Sequence, residues 1–186
     1  GTPDELADRK ARGYPTDRFG RYKWTRTINL ENSLRWRNLP KPTIAMVHGY
    51  CIFGGWMIAS AMDIIFASED ALFLPSHFQY FCTPWDVGPR KAKEVLFEHR
   101  FMTAWEAYDH GFVNRVFPRE RLETETLAYA ERVAENWLRD PLRLRTAKFS
   151  INHMMDTMGF TAALEAAYQS YSVWAGLEER AVPTPR

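Results

Sequence analysis

Short apolar runs and longer mixed stretches alternate along the chain, and most boundaries between them carry turn or capping residues. TIAMV (Thr43–Val47) is bounded by Pro42 and by His48-Gly49 and predicts a strand covered on both faces, as in a parallel sheet. IIFAS (Ile64–Ser68) predicts a second buried strand, ALFL (Ala71–Leu74) a third and FVNRVF (Phe112–Phe117) a fourth. Helical patterning covers residues 21–38, where Pro40 and Pro42 stop it, and residues 90–98. MTAWEAYDHG predicts a capped helix, with Thr103 and Glu106 as a capping box and Gly111 past its end. Helices follow over 120–138 and, from the Asp140-Pro141 cap, to about Asp156; Gly159 breaks the pattern and a last helix spans 161–178. Residues 1–20 are polar and broken by Gly and Pro, predicting a loop with at most a short turn at Asp4–Lys10. SHFQYFCTPWDVGP (Ser76–Pro89) has turn residues and no clear period, predicting an ordered loop. The order of elements gives an α/β class with a helical C-terminal third.

One junction does not fit simple packing. In HGYCIFGGWMIAS (His48–Ser60) adjacent glycines interrupt bulky apolar residues just where a helix should begin, running to about Met62. Glycine allows a backbone to approach a ligand, and a helix start offers free N–H donors. The junction therefore suits an oxyanion-binding turn, or a tight turn with no ligand.

Composition narrows the function classes. With 186 residues, 46% hydrophobic and 25% charged, the chain can build a core. A formal net charge of +1 gives no general attraction to nucleic acid or to a membrane surface. No apolar run reaches the ~18 residues of a spanning helix, and no secretory signal pattern opens the chain. Cys51 and Cys82 lie in apolar surroundings and read as reduced core thiols of a cytoplasmic protein. Five scattered histidines and two distant cysteines make no metal site.

The segment KPTIAMVHGYCIFGGWMIASAMDIIFASEDALF resembles the central part of the crotonase (enoyl-CoA hydratase/isomerase) family, and MTAWEAYDHGFVNRVFP resembles the helix–strand segment that follows it. The resemblance spans about residues 40–175. It implies a partial ββα spiral core over residues 1–117, a helical trimerisation region over 118–186, an acyl-CoA thioester substrate, and no cofactor beyond the coenzyme A of that substrate. It also implies a trimer or hexamer. Family members stabilise a thioester enolate or oxyanion with two backbone N–H groups, one of which maps onto Gly54. The other belongs to an Ala-Gly-x-Asp-Leu-like motif that precedes the segment matched here, so the chain reads as a fragment that alone holds half an oxyanion hole and an exposed sheet edge.

The two glutamates of typical hydratases fall on Met57, which cannot carry a proton, and on His77, reached by a gap-free alignment of ALFLPSH. His77 is a candidate acid/base, since imidazole titrates near neutral pH; the bland alternative is a packed or surface histidine. Asp86, in PWDVG, resembles an aspartate of some family isomerases after a one-residue shift, or else is a turn residue. Ile52, Phe53, Met57, Tyr80 and Phe81 are substrate-wall candidates, although the aromatics of 78–85 equally suit a small aromatic core. Lys148 matches a lysine that relatives place near the coenzyme A phosphates, and a solvated lysine is the alternative. Apolar residues of 141–178, among them Met154, Met155, Tyr168 and Tyr171, exceed what a small domain needs and suit subunit packing. Hydration, isomerisation, hydrolysis and C–C cleavage all stay open, as does a non-catalytic coenzyme A-binding role.

Overall fold

Prolines, glycines and short polar caps divide the chain into elements that a computed structural model describes for residues 3–75 and 80–178. Helix α1 (Pro3–Ala11) extends the short turn expected at Asp4–Lys10 by one residue at each end. Asp17 then caps α2 (Arg18–Arg26) by accepting from the Gly20 N–H at 2.7 Å. A single π turn (Thr27–Glu31) joins α2 to α3 (Asn32–Arg37), so the predicted 21–38 helix is one rod with a bulge. Its inner face buries Leu30, Ser33 and Arg37.

From residue 44 the chain runs strand, strand, helix and then repeats. Strand β1 (Ile44–Val47) is followed by β2 (Tyr50–Ile52) and α4 (Gly54–Ser60); β3 (Ile64–Ser68) and β4 (Leu72–Leu74) come next. Gly49, at φ 63°, makes the turn between β1 and β2. After α5 (Thr83–Val87) and α6 (Pro89–Glu98), β5 (Met102–Thr103), α7 (Ala104–Asp109) and β6 (Arg115–Phe117) complete the spiral. Two sheets result. β1, β3 and β6 form a parallel sheet; β2 and β4 pair in parallel, and β5 adds antiparallel to β4. The remainder of the described chain is helical: α8 (Arg119–Arg139), α9 (Pro141–Thr157) and α10 (Phe160–Glu178).

The core lies between the sheets and the helices that connect them. Trp56 of α4 stacks on Phe112, centroids 4.2 Å apart, and meets Phe73 edge-on. Phe160, Leu164 and Tyr168 bring α10 into the same core. Arg37 is drawn inward by Asp156 at 3.2 Å and by the Asn152 carbonyl at 2.9 Å, which ties α3 to α9.

Four expectations change. β1 is not covered on both faces, because it is an edge strand and Met46 is exposed. β2 has no sequence signal of its own, being three residues between a glycine turn and the strained Phe53. The 76–89 stretch is not all loop: Pro84 in the first turn and Gly88, at φ 82°, frame α5. The Thr103–Glu106 box is half made. Thr103 accepts from the Glu106 N–H, but the Glu106 carboxylate turns to Arg100, which with Lys91 holds its pKa down at about 2.

No helix among the described residues is long and apolar enough to cross a membrane.

Candidate active site

The glycine junction sits where β2 of one sheet hands over to α4. The Phe53 N–H donates to the Leu74 carbonyl at 2.9 Å, extending the β2–β4 ladder by one bond. The Phe53 carbonyl accepts from the Met57 N–H at 3.0 Å and opens the helix. The first N–H groups of a helix have no carbonyl of their own helix to bond, and the Gly54 N–H is the first of α4. Gly54 has no positive φ, and a Cβ built on it meets no described residue within 4 Å. At Gly55 a Cβ would be in ordinary contact with Cys51 Sγ, at 3.5 Å. Among the described residues, neither packing nor backbone angle therefore requires glycine at 54. The adjacent Phe53 has φ 43° and ψ −94°, which glycine alone adopts without strain. The fold asks for glycine one residue earlier than the sequence provides it.

Asp86 lies thirty positions from Trp56 and is bonded to it. Its carboxylate accepts the Trp56 indole N–H at 2.8 Å and the Ser60 hydroxyl at 2.9 Å, and Cys82 Sγ lies 2.7 Å from the same hydroxyl. Trp56 and Ser60 are one helical turn apart, so Asp86 grips one flank of α4. Ser60 is ~9 Å of helix rise from Gly54. Asp86 is half-buried, with its carboxylate packed among protein groups. That enclosure raises its pKa from 3.8 to about 6, against the lowering effect of the bonds from Cys82, Trp56 and Ser60. Asp86, Ser60, Trp85, Arg37 and Phe160 border a cleft of about 490 Å³. A cleft of about 1120 Å³ lies between α1, α2 and α10 and includes none of the candidate site residues.

The other candidates scatter. Met57 is 6% exposed and belongs to the core. Ile52 is half-buried and pairs with Leu74. Tyr80 is 1% exposed, and its hydroxyl finds no partner among the described residues. Burial pushes that phenol well above its usual pKa. Tyr80 and Trp85 both meet Phe160 edge-on, so this part of the loop forms an aromatic core against α10; Phe81 beside it is half-buried. Lys148 is nearly covered, donating to Asp63 at 2.8 Å and to the Lys41 carbonyl at 3.1 Å. Asp63 in turn accepts from the Thr43 N–H, so Lys148 fastens α9 to the start of β1. His77 lies outside the described residues. His48 is exposed and shares a hydrogen bond with Arg119, which also pairs with Asp70. Burial raises the Cys51 thiol to about 12, so it is no nucleophile. Among the described residues no group of acidic, His and Cys side chains could hold a metal ion.

Sequence reasoning missed two contacts. One is the Trp56–Asp86–Ser60 grip, which joins residues too far apart in the chain for any pattern to pair. The other is the meeting of the Phe53 and His99 rings, centroids 6.5 Å apart; the αL geometry of His99 as cap of α6 was hidden because the usual glycine is absent.

A model of the enoyl-CoA hydratase/isomerase family matches residues 13–175. EchA13 of Mycobacterium tuberculosis, a protein named for enoyl-CoA hydratase, is 40% identical over 151 residues, covering 77% of this chain; the chain spans 46% of that relative's length. A crystal structure from Mycobacterium thermoresistibile, described as a probable enoyl-CoA hydratase, superposes with a TM-score of 0.79 at 43% identity, over 83% of this chain and 67% of its own. One described as an enoyl-CoA hydratase/isomerase, from Xanthobacter autotrophicus Py2, gives 0.78 at 31% identity, over 91% of this chain and 64% of its own.

Proposed function

Because the chain belongs to the enoyl-CoA hydratase/isomerase family, the crotonase fold family, we propose that it is part of an enzyme acting on an acyl-CoA thioester through an enolate or oxyanion. The carrying observation is the space at Gly54 that no described residue fills, at a backbone angle that does not call for glycine. A thioester oxygen seated there takes the Gly54 N–H as one donor of its oxyanion hole. A fixed donor aimed at developing charge lowers the barrier more than it strengthens ground-state binding. Polarising the thioester carbonyl also acidifies the adjacent carbon, the step shared by hydration, isomerisation and related chemistries.

The proton-transfer groups depart from the two-glutamate pattern of typical hydratases. Met57 is an apolar core residue. His77 is the acid/base we propose, on the resemblance alone. Asp86, gripping the flank of α4, is better suited to holding that helix than to meeting substrate.

A second reading has one observation in its favour: with Met57 in the core and Asp86 committed to α4, a coenzyme A-binding protein without catalysis accounts for the described residues equally well. Incubation with a panel of acyl-CoA thioesters, followed by mass spectrometry, separates the two. Gain of one water's mass means hydration, free coenzyme A means hydrolysis, and a chromatographic shift without mass change means isomerisation. Tight binding with no turnover supports the non-catalytic reading, and neither binding nor turnover defeats both.

A further inference from the structure

We propose that Phe53 determines acyl-group specificity: its ring, beside that of His99, forms an aromatic wall at the approach to Gly54 and selects thioesters with a flat conjugated or aromatic acyl group. The inference rests on the reading that the Gly54 face receives the thioester.

Among the described residues, two non-glycine residues have positive φ: Phe53 at 43° and His99 at 49°. They are in contact with each other. His99 has ψ 48°, ordinary αL geometry for a helix cap, and histidine is one of the residues that tolerates it. Phe53, with ψ −94°, falls outside that region as well. Strain of this kind persists only where something holds it, and it gathers at ligand sites.

Among the described residues, nothing in the core accounts for a phenylalanine here. Phe53 is 40% exposed and does not belong to the core cluster, so burial offsets little of the strain. Both hydrogen bonds of the residue, to Leu74 and from Met57, are main-chain bonds that glycine would make equally well. The side chain is thus the only thing glycine would remove. That side chain is attached next to Gly54, one of six described glycines at which a Cβ would meet nothing within 4 Å and, of those six, the one without a positive φ. Nearby, Tyr50 pairs with Phe101 at 5.6 Å, a second aromatic contact between the β2 segment and the 99–101 connection. A flat acyl group conjugated to its thioester would stack against these rings, whereas a short alkyl chain would gain less from them.

The experiment compares the wild-type chain with Phe53→Gly and Phe53→Ala, measuring melting temperature and the dissociation constants of cinnamoyl-CoA and crotonyl-CoA by calorimetry. Both variants lose the ring, so the preference for cinnamoyl-CoA should fall about five- to tenfold in each. Only glycine relieves the backbone, so Phe53→Gly should melt roughly 2–4 °C above Phe53→Ala, the reverse of their order at an ordinary φ. A cinnamoyl preference unchanged in both variants overturns the specificity role while leaving the proposed function intact. Phe53→Gly melting below Phe53→Ala overturns the strain argument. A wild-type chain that binds neither thioester defeats the proposed function and this inference together.

Discussion

The indole of Trp56 donates to Asp86 at 2.8 Å, and the helix that Trp56 belongs to begins at Gly54. An aspartate from α5 is thereby fixed to the element that presents the candidate oxyanion donor. Enclosure, the largest influence on this carboxylate, lifts its pKa from 3.8 to about 6, so the folded chain binds the proton more tightly than the unfolded chain does. The stability linked to that proton is fully present below pH ~4 and is lost as pH rises through about 6; over the two-unit shift it amounts to at most about 3 kcal/mol.

Asp86→Asn cannot titrate. The stability of wild type minus that of the variant should therefore be larger at pH 4 than at pH 8, by up to about 3 kcal/mol in urea unfolding. A difference that stays constant between pH 4 and pH 8 contradicts the raised pKa.

The exposed side of α9 leads to a prediction about assembly. None of its residues is buried; Phe149 is 67% exposed, and Leu142, Ile151, Met154 and Met158 are exposed with it. Apolar residues in this number on one solvent-facing helix mark an interface. Light scattering at micromolar concentration should give a trimer or hexamer, and the double variant Phe149→Asp, Met154→Asp should shift the chain towards monomer. A wild-type monomer defeats the assignment.

His77 is tested by its titration. As a general base it should give kcat/KM a fall with decreasing pH through ~6.5, the ordinary histidine pKa. His77→Gln keeps the size and cannot titrate, so it should lose about a hundredfold in rate together with that acid limb. Retention of both rate and limb rules His77 out.

Much of the architecture can be read from local chemistry. Ile64–Ser68 is a strand within its predicted bounds, and Asp140 caps α9 by accepting from the Arg143 N–H at 3.0 Å. Such signals are local: an apolar run, a cap, a proline. What the sequence withheld is non-local or runs against type. β2 exists because Leu72–Leu74 offers it a partner some twenty residues on. A small aromatic core around Tyr80 and Trp85 is among the readings of the sequence, but not that α10, far along the chain, brings Phe160 onto them. Lys148 reads as a solvated or phosphate-facing lysine until Asp63 is seen beside it. The glycine pair was legible as unusual, but that the strained residue is Phe53 and the free space is at Gly54 required coordinates.

The central claim is that a substrate comes close to the main chain at Gly54, and kcat/KM of Gly54→Ala on an acyl-CoA thioester tests it most directly. The added methyl meets no described residue and sits at no positive φ, so the variant should fold with a melting temperature at or above that of wild type. Because the methyl would stand between the retained Gly54 N–H and the thioester oxygen, misplacing the substrate, kcat/KM should fall about tenfold or more. A folded Gly54→Ala chain with wild-type kcat/KM would contradict the account.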